Sequence, residues 1–139
     1  MDTIERTIYI DAPVERVWTI VTEPEHLGQW FGDAGASRTG DTITMAWKEN
    51  GEAELRVVKE QPPHAFAYRW DANEPGVGDT LVEFTLTPEG DGTRLKVVES
   101  GWTKLNTSPE RQSELREGNV GGWKHELGDL ERYAQTVTV

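Results

Sequence analysis

The sequence predicts an α+β fold in which helices cover one face of a curved antiparallel sheet. Three observations support this prediction: residues 3–10 alternate as a strand does, residues 32–101 hold six more short alternating segments, and residues 110–135 carry an apolar stripe at helical spacing. Because the six segments follow one another without intervening helices, a parallel doubly wound sheet is disfavoured. A length of 139 residues suits one core, so a single domain over 1–139 is predicted.

Two short helices are predicted after the opening strand, Thr3–Ile10. Asp11 can cap the first helix, with Pro13 in its first turn, where a missing N–H costs nothing. Pro24 suits the start of the second helix, which is expected over Glu25–Trp30. These helices lie between the first strand and the rest of the sheet.

The middle of the chain is predicted to form an antiparallel meander. Its six strands are expected at Gly32–Arg38, Thr42–Lys48, Glu52–Glu60, Ala65–Asp71, Thr80–Pro88 and Thr93–Gly101. Residues 61–64 contain two prolines and residues 89–92 two glycines, which are typical of the turns between strands. Together with the opening strand, this makes seven strands.

The last element is a long helix from about Glu110 to Gln135. Its apolar stripe consists of Leu115, Trp123, Leu127, Leu130 and Ala134. Four glycines, each costing about 1 kcal/mol against alanine in a helix interior, also fall in it. They are Gly118, Gly121, Gly122 and Gly128. They indicate close packing on the sheet, a break near Gly121, or open space beneath the helix.

Charge and composition exclude several classes of function. Lys and Arg number 14 and Asp and Glu 25, so the net charge is −11, which disfavours nucleic acid and anionic membrane surfaces as partners. No stretch is apolar enough to span a membrane, and the N-terminus lacks the pattern of a signal peptide, so a cytoplasmic location is expected. The absence of cysteine excludes disulfides, thiolate nucleophiles and thiolate metal sites.

The chemistry-bearing motifs of common enzymes and cofactor sites are missing as well. His26, His64 and His125 share no short spacing, so no metal site is predicted. No serine sits in a Gly-x-Ser-x-Gly elbow, and Gly76-Val77-Gly78 lacks the third glycine and the helix of a dinucleotide-binding loop. No cofactor and no catalytic residue is therefore predicted.

Four segments carry a resemblance to a known family. They are Ile10-Asp11-Ala12-Pro13-Val14-Glu15-Arg16-Val17-Trp18, Trp30-Phe31, Glu99-Ser100-Gly101-Trp102 and Gly122-Trp123. In these the chain resembles the START/SRPBCC helix-grip superfamily, and within it the single-domain bacterial homologues of the activator of the heat-shock chaperone ATPase. The resemblance implies a seven-stranded antiparallel sheet wrapped around the C-terminal helix. In many members a cavity between them holds a lipid, sterol, polyketide or other apolar molecule.

Candidate site residues follow from strand parity and from this resemblance. Aromatic residues with inward parity on the sheet, or on the helix that covers it, are Trp47, Phe66, Tyr68, Trp70, Phe84, Trp102 and Trp123. Trp30 and Phe31 resemble the family's cavity mouth, and Asn119 and Glu99 are the polar candidates. Any one of these aromatic residues alone fits an ordinary core better than a ligand site, so the argument for a ligand pocket is collective.

Glu99 is the most informative of the polar candidates. A carboxylate on an apolar face has its pKa raised, finds a partner such as Arg69 or Arg94, or reaches water where the strand bulges. Arg69 itself alternates with two aromatic neighbours and is expected on the solvent face.

The leading functional hypothesis is non-catalytic binding of a small apolar or aromatic molecule, such as a lipid, polyketide or flavonoid. The alternatives are a polyketide cyclase or aromatase-like enzyme, which needs an ionisable group in the cavity, and a co-chaperone acting on a heat-shock ATPase. The acidic runs at 52–54 and 110–117 are explained by solvated faces, by docking to a basic surface on a chaperone, or by adaptation to high salt.

Overall fold

The computed structural model describes residues 2–49, 51–72 and 74–136, which form a seven-stranded antiparallel sheet and three α-helices. The strands are β1 Thr3–Ile10, β2 Ala36–Thr39, β3 Thr42–Trp47, β4 Gly51–Gln61, β5 Ala65–Asp71, β6 Asp79–Glu89 and β7 Gly92–Ser100. The helices are α1 Val14–Thr22, α2 Pro24–Trp30 and α3 Pro109–Thr136, with a short 3-10 helix at Trp102–Lys104. The predicted helix-grip fold class is confirmed.

The strand order is β1-β7-β6-β5-β4-β3-β2, so the first strand pairs with the last and every other strand with its neighbour in sequence. A bulge between Val57 and Lys59 shifts the β4–β5 register and leaves Val58 56% exposed. Such a bulge bends the strand that carries it. β5 pairs with β4 only from Arg56 onward, so the first residues of β4 lack pairing on that side.

Helix α3 buries its predicted stripe and runs through all four glycines without a break. A Cβ atom added to Gly118, Gly121 or Gly122 would meet no neighbouring atom within 4 Å, so close packing does not explain these glycines. The expectation of a break near Gly121 is wrong, because α3 is continuous there. Of the explanations for these glycines, open space beside the helix is the one that fits the structure. No helix in the described ranges is both long and apolar enough to cross a membrane.

Helices α1 and α2 pack against each other, and α2 packs against the end of α3. The Trp30 indole donates a hydrogen bond to the Ile20 carbonyl at 2.9 Å, and His26 Nδ1 is hydrogen-bonded to the Tyr133 hydroxyl at 2.7 Å. Pro24 is the first residue of α2, as its missing N–H favours. The cap predicted at Asp11 is wrong: Pro13 is the residue that precedes α1, and no side chain caps it.

The first strand of the meander begins four residues later than predicted, at Ala36 instead of Gly32. The amides of Asp33 and Ala34 both donate to the Ala46 carbonyl, at 3.2 and 3.1 Å, which replaces a regular ladder. A Cβ atom on Gly32 would lie 2.7 Å from the same oxygen, so only glycine permits this approach to β3. The tight segment holds the end of α2 against the sheet.

Candidate functional site

Phe31, the residue that follows α2, lies at the centre of a cluster of aromatic rings. Its ring stacks on Trp123 of α3, with centroids 5.7 Å apart and planes 14° apart, and lies 5.5 Å from Trp70 of β5. Trp47, at the end of β3, meets Phe31 edge-on at 5.7 Å and donates its indole N–H to the Phe31 carbonyl at 2.9 Å. One helix end, two strands and α3 therefore contribute to a single aromatic surface.

A cleft of 1380 Å³ opens over this surface, between α3, the start of β4 and the β5–β6 loop. It opens there because β4 and β5 are not paired before Arg56. Its lining consists of Phe31, Trp47, Glu52, Ala53, Glu54, Trp70, Asp71, Ala72, Glu74, Pro75, Gly76, Gly78, Asn119, Gly122, Trp123 and Glu126. Flat rings on one wall and polar groups on another are typical of a small-molecule site.

Five of the eleven predicted site residues line this cleft. They are Phe31, Trp47, Trp70, Asn119 and Trp123. The other six are buried elsewhere in the interior and do not line it. They are Trp30, Phe66, Tyr68, Phe84, Glu99 and Trp102. Inward parity therefore identified interior positions correctly but did not separate those under open space from those in packed core.

Trp102 illustrates the difference. It lies in the 3-10 helix, is 1% exposed and, within the described residues, makes no ring contact with the cluster around Phe31. Its indole N–H has no hydrogen-bond partner there either. Phe66 packs its ring edge-on against Trp18 of α1, at 6.1 Å, on the side away from the cleft.

Glu99, on β7, is 1% exposed and lies beneath the aromatic surface. One carboxylate oxygen accepts hydrogen bonds from the Trp70 indole at 2.8 Å and the Thr80 hydroxyl at 2.5 Å. The other accepts from the Trp123 indole at 2.7 Å and the Asn119 amide at 3.0 Å. Because two of the donors belong to α3 and two to the sheet, Glu99 ties the helix to the sheet.

This arrangement differs from the expectations for Glu99. The carboxylate does not reach water, and its partners are indole, hydroxyl and amide donors instead of an arginine. Arg94 pairs with Glu89, and Arg69 lies on the solvent face, as predicted, where it pairs with Asp79 at 3.2 Å. Glu99 positions Trp70 and Trp123, two of the three tryptophans that line the cleft.

Glu126, on α3, is one of the lining residues that the sequence did not single out, and the one with the most unusual surroundings. Its Oε2 atom is buried and has no hydrogen-bond partner among the described residues. Burial, with added repulsion from Asp129 and Asp33, raises the pKa of Glu126 to about 8. The available signal was helical spacing, since Glu126 lies one turn beyond Gly122 and three residues beyond Trp123.

Tyr68 presents a second unsatisfied polar group in the interior. Its hydroxyl is fully buried without a hydrogen-bond partner in the described part of the chain. Burial raises the pKa of Tyr68 well above 10, and the charges of Glu99 and Glu126 add to the effect. The phenol therefore stays neutral and is a hydrogen-bond donor without an acceptor.

Every ionisable residue in the lining of the cleft is acidic: Glu52, Glu54, Asp71, Glu74 and Glu126. Two of them are compensated from outside, Asp71 by Arg56 at 3.3 Å and Glu74 by Arg111 at 2.7 Å. The other three have no ion-pair partner among residues 2–49, 51–72 and 74–136. The cleft is therefore a region of negative potential.

One group of possible metal ligands lies beside the cleft. Single ligand atoms of His125, Glu126 and Asp129 lie within 4.8 Å of one another on α3. Asp129, however, is already engaged by Arg132 and by His125, which is 71% exposed. Such a solvent-facing group is accounted for by these ion pairs, so we assign no metal to it.

Comparison with protein families shows one matching model. The family described as activator of Hsp90 ATPase homolog 1-like protein matches residues 11–135. No curated protein matches the chain.

Solved structures share the fold over nearly the whole chain. DynU16, from the dynemicin biosynthetic locus, is 29% identical with a TM-score of 0.77; the match covers 98% of this chain and 48% of DynU16, so the chain spans about half the length of that protein. CalU16 from Micromonospora echinospora is 26% identical with a TM-score of 0.69, over 96% of this chain and 76% of CalU16. The Aha1 dimer from Colwellia psychrerythraea is 21% identical with a TM-score of 0.79, over 98% of each chain, and shows the fold alone.

Proposed function

Because this chain belongs to the family of activator of Hsp90 ATPase homolog 1-like proteins, whose fold is compatible with small-molecule binding, we propose that it binds a small apolar or aromatic molecule between its sheet and α3. The observation that carries the proposal is the cleft of 1380 Å³ over the rings of Phe31, Trp47, Trp70 and Trp123. No bond of the ligand is broken or formed in this function.

The shape and chemistry of the cleft support this function. Ligand pockets typically have volumes of about 300–1,000 Å³. The cleft is somewhat larger than this range because it is open to solvent on one side. Trp47 and Trp70 are only half buried, so part of each ring is available to stack on a planar molecule. Burying rings in this way is favourable because apolar surface leaves water on both partners.

The likeness to DynU16 supports a product of biosynthesis as the ligand. That protein belongs to a biosynthetic locus and is 29% identical to this chain. We therefore place the ligand among polyketide-like or flavonoid-like aromatic molecules, ahead of simple lipids. The acidic lining of the cleft agrees with this order, since it disfavours the carboxylate of a fatty acid.

Titration with planar aromatic probes tests the proposal. We expect saturable changes in tryptophan emission and in the amide resonances of Trp70 and Trp123. A Trp47→Leu variant should bind the probes several-fold more weakly, whereas Trp18→Leu, outside the cleft, should bind as the natural chain does. Probes that perturb neither Trp70 nor Trp123 at saturation would contradict the proposal.

A second candidate function is proton transfer to a bound carbonyl compound, as in a cyclase. Glu126 favours it, because a carboxyl group with a pKa of about 8 holds a proton at neutral pH and can deliver it as a general acid. It would protonate the carbonyl oxygen while water removes the neighbouring C–H proton, which gives the enol. Exchange of the α-protons of 2-tetralone in D₂O, followed by NMR, tests this step. Equal exchange rates for the natural chain and Glu126→Gln would count against it.

A further inference from the structure

We propose, on the basis of the binding function above, that the cleft selects cations: its ligand carries a protonated amine on an aromatic frame. The ammonium group lies at Glu126, and the frame lies over Trp47 and Trp70. The proposal rests on three features of the cleft: the sign of its charges, the unsatisfied oxygen of Glu126 and the accessible rings.

The charges of the cleft favour a cation over any anion. Glu52, Glu54 and, once it has lost its proton, Glu126 are the acidic groups that line the cleft without a basic partner among the described residues, and no lysine, arginine or histidine lines it there. A site lined by one sign of charge concentrates ligands of the opposite sign and repels those of the same sign. Carboxylate and phosphate ligands are therefore disfavoured, whereas an amine gains from the same field.

Glu126 is the residue that an ammonium group would satisfy. Its buried oxygen lacks a hydrogen bond within the described part of the chain, and a buried acceptor of this kind calls for a partner. An ammonium group has three N–H donors and a full positive charge, so it supplies both the hydrogen bond and the counter-charge.

The groups around Glu126 leave that position to the ligand. Asp33 faces it from the segment after α2, Asp129 from α3 itself and the Tyr68 phenol from β5, and Glu52, Glu54 and Glu74 lie on the other walls of the cleft. Of the nearby basic side chains, His125 and Arg132 contact Asp129, and Arg111 pairs with Glu74. None of these compensates Glu126.

The aromatic rings of the cleft also favour binding of a cation. A cation within about 6 Å of an indole centroid is attracted by the negative face of the ring. Trp47 and Trp70 are half buried and line the same cleft as Glu126. An amine bound at Glu126 is therefore held by a carboxylate and by indole rings together.

A matched set of probes separates charge from ring burial. Titration calorimetry at pH 7 compares 2-naphthylmethylamine, 2-naphthylmethanol and 2-naphthoate, which share one ring system as cation, neutral molecule and anion. We expect the amine to bind at least tenfold more tightly than the alcohol, and the anion most weakly. Glu126→Gln should lower the ratio of amine to alcohol affinity several-fold, and the preference that remains comes from Glu52, Glu54 and the indole rings. Glu83→Gln, on the exposed face of β6, is the control and should keep the ratio.

The pH dependence gives an independent test on the natural chain. Free Glu126 holds its proton up to about pH 8, so binding of an ammonium group must displace that proton. The affinity for the amine should rise from pH 6 to pH 8, with proton release detected in buffers of different ionisation enthalpy. For Glu126→Gln the affinity should not change over this range.

The outcomes distinguish this inference from the function on which it rests. Equal affinity for amine and alcohol would overturn cation selection and leave aromatic binding standing. Binding of none of the three probes would overturn both. An affinity for the amine that falls between pH 6 and pH 8 would also overturn cation selection, because it would show that protonated Glu126 acts as a donor to its ligand.

Discussion

Glu99 and Glu126 lie on opposite sides of the same aromatic surface, and they differ in the hydrogen bonds that the protein supplies to each carboxyl group. Glu99, beneath the rings, accepts four hydrogen bonds from Trp70, Thr80, Asn119 and Trp123. Glu126, in the cleft above them, has a buried oxygen with no partner in the described residues. Two residues of one type thus differ in whether the fold itself supplies their partners.

This difference separates a structural carboxylate from a candidate binding group. A buried polar group whose hydrogen bonds are all made within the protein stabilises one arrangement of the chain. A group whose hydrogen bond is missing costs free energy in the unbound protein, and that cost is recovered only when something else binds. The same substitution at the two positions should therefore have different consequences.

The largest effect is expected for Glu99→Gln. The amide NH₂ of glutamine cannot accept hydrogen bonds, so it would face two donors that now point at a carboxylate oxygen. We expect a loss of about 3–5 kcal/mol in the free energy of unfolding, measured by chemical denaturation. Glu83→Gln, on the exposed face of β6, should change it by less than about 0.5 kcal/mol. Equal stability of the two variants would mean that the four hydrogen bonds do not hold α3 to the sheet.

A smaller loss is expected when one donor is removed. Trp123→Phe keeps a ring against Phe31 but deletes the indole N–H that lies 2.7 Å from Glu99. The expected cost is about 2–3 kcal/mol, because the lost hydrogen bond goes to a carboxylate. Trp18→Phe removes the same atoms from an indole that makes no hydrogen bond to a carboxylate among the described residues, so its cost should be lower. A similar cost for both would show that ring size, not the hydrogen bond, matters at Trp123.

Sequence periodicity was sufficient to predict the α+β class and the interior side of several strands. Alternation placed Trp70 and Glu99 inside and Arg69 outside, and helical spacing placed Trp123 on the buried stripe of α3. Periodicity reports which face a side chain takes, and these faces are what the sheet and helix then bury.

The position of the cleft could not be predicted in the same way. It depends on where β4 and β5 part, which is set by a register that begins at Arg56 and shifts at the bulge after Val57. Tyr68 and Trp70 share one face of β5, yet only Trp70 lines the cleft. Glu126 was missed because a glutamate on the flank of an amphipathic helix is normally expected to face solvent. Only the structure shows that the start of β4 and the β5–β6 loop lie across the cleft from it.

Glu126 should make the stability of the protein depend on pH. The pKa of this carboxyl is about 8 in the folded chain against an ordinary value of 4.5, so between these pH values the folded state binds more protons than the unfolded state. Rising pH therefore destabilises the natural chain through this group, and Glu126→Gln removes that contribution.

Denaturation curves at pH 5, 6, 7 and 8 measure the effect. The stability of Glu126→Gln relative to the natural chain should increase with pH, on the order of 1–2 kcal/mol by pH 8, a figure reduced because the carboxyl is only partly buried. Glu83→Gln serves as the control for the general loss of one acid. A constant difference across this pH range would contradict the raised pKa and would place Glu126 with the solvated acids of α3.

The smallest effect is expected at the glycines of α3, where two substitutions should change stability equally but ligand binding differently. Gly122 lines the cleft and Gly121 does not, and a Cβ atom at either would meet no neighbour within 4 Å. Either glycine replaced by alanine should raise the free energy of unfolding by about 0.5–1 kcal/mol, because alanine favours the helix. Only Gly122→Ala adds a methyl group to the wall one turn before Glu126, so only this variant should weaken binding of 2-naphthylmethylamine, measured by calorimetry. If both variants bind the amine as the natural chain does, the wall of α3 beside Glu126 does not contact the ligand, and the open space beside these glycines has another cause.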